Sequence, residues 1–96
     1  KEDSLRAISI PVQIVTGDAD LIVAPGPNAQ RLASLVPTAA LTRLPAVGHY
    51  TFLAVCTDAG RRAQAQLCGD TPGLDRAAVH QRTIELAAQF FERTLK

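Results

Sequence analysis

Two segments of the chain carry the clearest hydrophobic patterning. Ile10-Pro11-Val12-Gln13-Ile14-Val15-Thr16-Gly17 is a short β-branched run that barely alternates and stops at glycine, as a strand buried on both faces would. Near the other end, Val79, Ile84, Ala87, Ala88, Phe91 and Leu95 recur at helical spacing behind Asp75. This predicts a long helix with Asp75 as its N-cap and those residues on its inner face. Between the two, Asn28 is placed to cap a helix that sets Ala29, Leu32, Leu35 and Val36 on one side and ends at Pro37. Ala40-Leu41-Thr42-Arg43-Leu44, stopped by Pro45, reads as a second, weaker strand. The rest is polar or dense in turn residues: Lys1 to Ser9 as a lead-in, Asp18 to Pro27 and Ala46 to Tyr50 as loops. A short apolar segment follows around Phe52, Leu53 and Val55, and residues 56–73 read as irregular.

The order strand, loop, helix, strand, loop, helix predicts an α/β chain with two parallel strands joined by a right-handed crossover. Parallel strands are normally covered by helices on both faces and sit among further strands. The sheet is therefore expected to be incomplete, and the chain, residues 1–96, to be the C-terminal portion of one larger domain. Composition is that of an ordinary globular protein, 47% hydrophobic and 20% charged, with a net charge of +1. The charges are scattered and no basic stripe interleaves with aromatics, so neither nucleic acid nor an anionic membrane is expected as partner. No apolar stretch is long enough to span a bilayer. Lys1 to Ser4 is polar and unlike a signal peptide, which in a C-terminal piece says nothing of secretion.

The candidate chemistry lies just past the two strands. In a parallel sheet every strand's carboxyl end points to one edge, where ligand sites form. Asp18 and Asp20 follow the first strand and His49 follows the second. Neighbouring strands about 4.8 Å apart would bring the two loops side by side. A carboxylate touching an imidazole there can fix its tautomer and stabilise its charged form while it acts as a general base. Asp18, Asp20 and His49 also make a thin case for a metal site, but no further ligand is suggested. His80 reads as a helix-surface residue, and Arg61 with Arg62 as a solvated loop.

The stretches PVQIVTGDADLIVAP and NAQRLASLVPTAALTRLPAVGHYTFL resemble the end of an α/β-hydrolase. In that family the acid follows a late strand in a G-x-x-D turn and the histidine follows the last strand in a G-H turn, in the chain order nucleophile, acid, histidine. The continuation CTDAGRRAQAQLC and the helix beginning LDRAAVH are similar to the predicted dienelactone-hydrolase branch, including its two bracketing cysteines. The resemblance implies Asp20, at the fourth position of G-x-x-D, as the acid and His49 as the base. It leaves Asp18 to brace its own loop backbone. It also implies a small ester or lactone as substrate, no metal and no organic cofactor.

The nucleophile is the missing part. Ser4, Ser9 and Ser34 lack the flanking glycines of a G-x-S-x-G elbow, and so do both cysteines. The chain alone is expected to be inactive and to need the rest of a hydrolase domain. Its rivals are a small non-enzymatic α/β binding module and a fragment that gains its nucleophile from another polypeptide. Cys56 and Cys68 fit no zinc spacing. Either they close a small disulfide loop in an oxidising compartment, periplasmic or extracellular, or they are reduced thiols in the cytoplasm. The absence of other cysteines and the loop between them favour the disulfide.

Overall fold

A computed structural model describes residues 1–95. The β-branched run forms strand β1, Val12–Gly17, and the weaker run forms β2, Ala39–Leu44. They pair in parallel, with Val12 opposite Ala39 and Gly17 opposite Leu44. β1 starts after Pro11, which has no N–H to give to a ladder. It is not buried on both faces as its sequence suggests: only Thr16 and Gly17 are buried, and Val12 to Val15 are partly covered. Two strands and the helices beside them cannot enclose an apolar central strand.

The polar lead-in contains a short helix, α1, Glu2–Arg6, tied by Glu2 to Arg31. The crossover begins one turn earlier than expected. Pro25 already has helical dihedrals, and Gly26–Gln30 form a wide π-type turn closed by Gln30 N–H donating to Pro25 O at 2.7 Å. This turn runs straight into α2, Arg31–Leu35. Asn28 is thus inside the turn, where it caps nothing, and its Nδ2 donates to Ala24 O at 2.8 Å. Ala29, Leu35 and Val36 are buried as the periodicity predicts, while Leu32 is 42% exposed.

The stretch read as irregular holds two short helices, α3, Asp58–Ala63, and α4, Ala65–Cys68. Each is too brief to show a period, although Thr57 caps α3 through Gly60 N–H at 3.0 Å. Arg61 is accordingly on a helix, donating to Cys56 O at 2.8 Å and pairing with Asp58. Cys56 and Cys68 are disulfide-bonded, with Cα atoms 5.9 Å apart.

The last helix, α5, Arg76–Thr94, starts at Asp75, whose Oδ1 accepts from Ala77 N–H at 3.0 Å. Its inner face differs from the expected one. Arg76, Val79 and Leu86 are buried, whereas Ile84, Phe91 and Leu95 are more than half exposed. Leu44, Val47, Val79 and Leu86 form the core, with Val15 and Leu74 against them. That core is small for the chain. The radius of gyration is 15.4 Å, against about 13 Å for a compact domain of this length. The accessible surface is 6445 Å², against about 5,300 Å² for a folded monomer of this mass. Among the described residues no helix is long and apolar enough to cross a membrane.

Candidate functional site

The two loops past the strands are stitched together by backbone contacts. Asp18 N–H donates to Leu44 O and Ala19 N–H to Val47 O, both at 2.9 Å. Glycine is required where they meet: a Cβ on Gly17 would lie 2.2 Å from Val47 O. Just before that contact Ala46 takes φ 64°, a left-handed conformation uncommon for alanine. Thr71 holds it by donating from Oγ1 to Ala46 O at 2.7 Å.

Asp20 is the third residue of the first loop, and His49 opens a single 3₁₀ turn, His49–Phe52, at the end of the second. Asp20 Oδ2 lies 3.0 Å from His49 Nδ1. The other oxygen, Oδ1, accepts from Ile22 N–H at 2.9 Å and Val23 N–H at 2.7 Å. The carboxylate side chain is 10% exposed and the imidazole 39%, so one partner is fixed and the other reaches solvent. Burial pushes the Asp20 carboxyl up. The Val23 N–H bond, the His49 bond, the Ile22 N–H bond and the charge of His49 together outweigh it and hold the group below the usual carboxylate range. Among the described residues no hydrogen bond engages His49 Nε2. The pair can therefore present a proton acceptor at Nε2 while Nδ1 is occupied by the carboxylate.

The loop-bracing expected of Asp18 falls to Asp20, which also keeps its contact with His49. Asp18 accepts from Arg43 Nε at 2.7 Å. Arg43 projects from β2 directly opposite Thr16, within reach of the residue that follows Gly17. No group of three His, Cys, Asp or Glu side chains among the described residues gathers at metal-ligand range. An open cleft of about 250 Å³ runs from Asp20 and His49 along β1, walled by Ile14, Val23, Leu32 and Phe52.

A second polar cluster, absent from the sequence reading, lies behind the histidine. Thr51, 1% exposed, accepts from Gly48 N–H at 3.0 Å and donates to Asp70 Oδ1 at 2.7 Å. Asp70 is gripped by Arg76, through Nε at 2.9 Å and Nη2 at 3.1 Å. Arg76 also donates to Leu67 O at 3.0 Å and Ala54 O at 3.3 Å. His80 is not a surface residue: its Nε2–H donates to Thr51 O at 2.8 Å. One signal was available. An arginine in the first turn of a helix opposes the helix dipole, which points to a carboxylate partner.

The Arg76 bond is the main cause that holds Asp70 below the usual carboxylate range; burial opposes it, and Thr51 and the charges of Arg76 and His80 add to it. Both Asp20 and Asp70 thus have folded values below their unfolded ones. Their contribution to stability is complete above the ordinary carboxylate value and is lost as pH falls through the depressed folded one. The urea midpoint is expected to drop on acidification below about pH 5. Asp70→Asn should flatten that drop, and an unchanged profile in the variant would count against the pair as its source.

No family model matches the chain, and no solved structure matches it.

Proposed function

We propose that this chain is the acid–histidine limb of a serine-type α/β-hydrolase acting on an ester or lactone. The observation that carries the reading is the 3.0 Å contact between Asp20 and His49 Nδ1, made from the ends of adjacent parallel strands. An upstream serine would attack the acyl carbon, His49 Nε2 would take its proton and return it to the leaving alkoxide, and Asp20 would orient the ring and stabilise its charged form. The relatedness to the dienelactone-hydrolase branch belongs to the same proposal, and so does an oxidising compartment, periplasmic or extracellular, for the disulfide-bonded segment.

Three further features support an incomplete domain. The cleft beside His49 is smaller than the roughly 300 Å³ of ordinary ligand pockets, so its remaining walls would come from elsewhere. Leu21, Ile22, Leu53 and Val55 near the pair are exposed, as are Ile84 and Phe91 on α5, and apolar surface of this kind suits a covering partner. The excess of accessible surface suits it too.

The chain by itself is expected to leave an activated ester such as a p-nitrophenyl butyrate at its background rate. Supplied with the polypeptide that precedes Lys1 in its gene, bearing a G-x-S-x-G elbow, it should give saturable turnover that His49→Ala abolishes. Turnover by the 96-residue chain alone, or no elbow in the preceding sequence, would overturn the reading.

A further inference from the structure

His49 is the first residue of one isolated turn, and neither a strand nor a long helix holds it. What fixes that turn is Thr51. Its hydroxyl is bound on both sides, by Gly48 N–H immediately before His49 and by the Asp70 carboxylate. Its carbonyl is bound by His80 of α5. Asp70 in turn is clamped by a side chain that is 6% exposed, Arg76, whose remaining donors reach carbonyls at Ala54 and Leu67. Those two carbonyls flank the Cys56–Cys68 bridge, Ala54 two residues before Cys56 and Leu67 next to Cys68. Among the described residues no buried side-chain polar atom lacks a partner. A fully satisfied network of this kind has one arrangement and rigidifies what it holds.

We propose that Thr51 is the positioning residue for His49, and that Asp70, Arg76 and His80, anchored on the disulfide loop, hold Thr51 in place. The hydroxyl sets where the turn begins, the turn sets the direction of the imidazole, and Asp20 meets Nδ1 only in that direction. The proposal rests on the acid–histidine reading for its consequence in turnover, and on geometry alone for its structural readout. Arg76 is the member best suited to clamp a carboxylate, since its planar fork meets both oxygens at once.

The test is ¹⁵N and ¹H NMR of the 96-residue chain, following the His49 Nδ1–H resonance. The wild-type chain is expected to show it protected from exchange by Asp20. Thr51→Val keeps the shape and removes the hydroxyl, and should lose the protected resonance; Thr51→Ser restores the hydroxyl and should retain it. His80→Leu cuts the second hold on the same turn while leaving the hydrogen bonds of Asp70 and Arg76 in place, and should weaken the resonance in the same direction. Reduction by a dithiol breaks the Cys56–Cys68 bond, with two electrons and two protons passing from the reagent as it closes to its own disulfide, and should also release the ring. If Thr51→Val and His80→Leu both fold and keep the wild-type resonance, the proposal is overturned. A resonance that survives reduction removes the disulfide from the strut. If the NMR results hold but no assembled enzyme turns over an ester, the hydrolase reading fails while the positioning role stands.

Discussion

Replacing Arg76 with alanine is expected to destabilise the chain by about 3–5 kcal/mol, the usual result of leaving one member of a buried ion pair alone. Among the described residues this guanidinium donates four hydrogen bonds: two to Asp70 and one each to Ala54 O and Leu67 O. Without it the Asp70 side chain, 13% exposed, keeps among the described residues only the Thr51 hydroxyl. Small domains have total stabilities of roughly 5–15 kcal/mol, so a loss of this size removes much of the margin. Urea unfolding followed by circular dichroism measures it. A midpoint equal to that of the wild type would show that solvent reaches Asp70 freely. The double replacement Arg76→Met with Asp70→Leu makes a sharper comparison, because it leaves no uncompensated charge. It should cost less than Arg76→Ala alone, the remaining penalty coming from the unpaired Thr51 hydroxyl.

On the proposed acid–histidine reading, Asp20→Asn in the assembled enzyme should lower kcat by about 10⁴-fold, as the same change does in the serine protease triad. The atomic reason lies in the two oxygens. An asparagine can still accept from Ile22 N–H and Val23 N–H through its carbonyl, so the loop keeps its shape. Its amide then presents a donor to His49 Nδ1. The ring must carry its proton on Nε2, the atom that should receive one from the nucleophile. Asp18→Asn is expected to change kcat little, since among the described residues the Asp18 carboxylate is engaged only by the half-exposed Arg43 and pairs of that kind contribute about 0–1 kcal/mol. His49→Ala should be as damaging as Asp20→Asn or more so. If Asp18→Asn were the inactive variant, the assignment of the acid would be wrong; if none of the three lowered turnover, this segment would not be the acid–base limb.

The parts of the structure legible in the sequence are those whose cause is local. β1, β2 and α5 follow from composition, Pro11, Pro45 and the Asp75 cap, and the parallel order followed from what lies between the strands. The placement of Asp20 beside His49 was also within reach, because both residues stand a few positions past adjacent parallel strand ends. What escaped depends on contacts distant in sequence. Thr51, Asp70 and Arg76 are separated by 19 and 6 residues along the chain, and no spacing rule links them. The inner face of α5 was misjudged because the most apolar positions, Ile84, Phe91 and Leu95, are not the covered ones. The small core takes Val79 and Leu86, the polar cluster takes Arg76, and there is too little protein on that side to cover more. The bracing role expected of Asp18 lies with Asp20 because a carboxylate has two oxygens: one of them braces the loop at Asp20 while the other faces the imidazole.

The close approach at Gly17 also says how the pair could be moved. The contact between Gly17 and Val47 O, with the bonds from Asp18 and Ala19, makes the two loops a single piece of backbone. A transplant that carries only Asp20 and His49 onto a foreign parallel sheet would lose the relative height of the loops. The portable unit is Thr16 to Val23 together with Leu44 to Thr51, taken with glycine at the crossing point and a buried acid to receive the Thr51 hydroxyl. Lengthening the chain between Leu44 and His49 would shift the histidine out of reach.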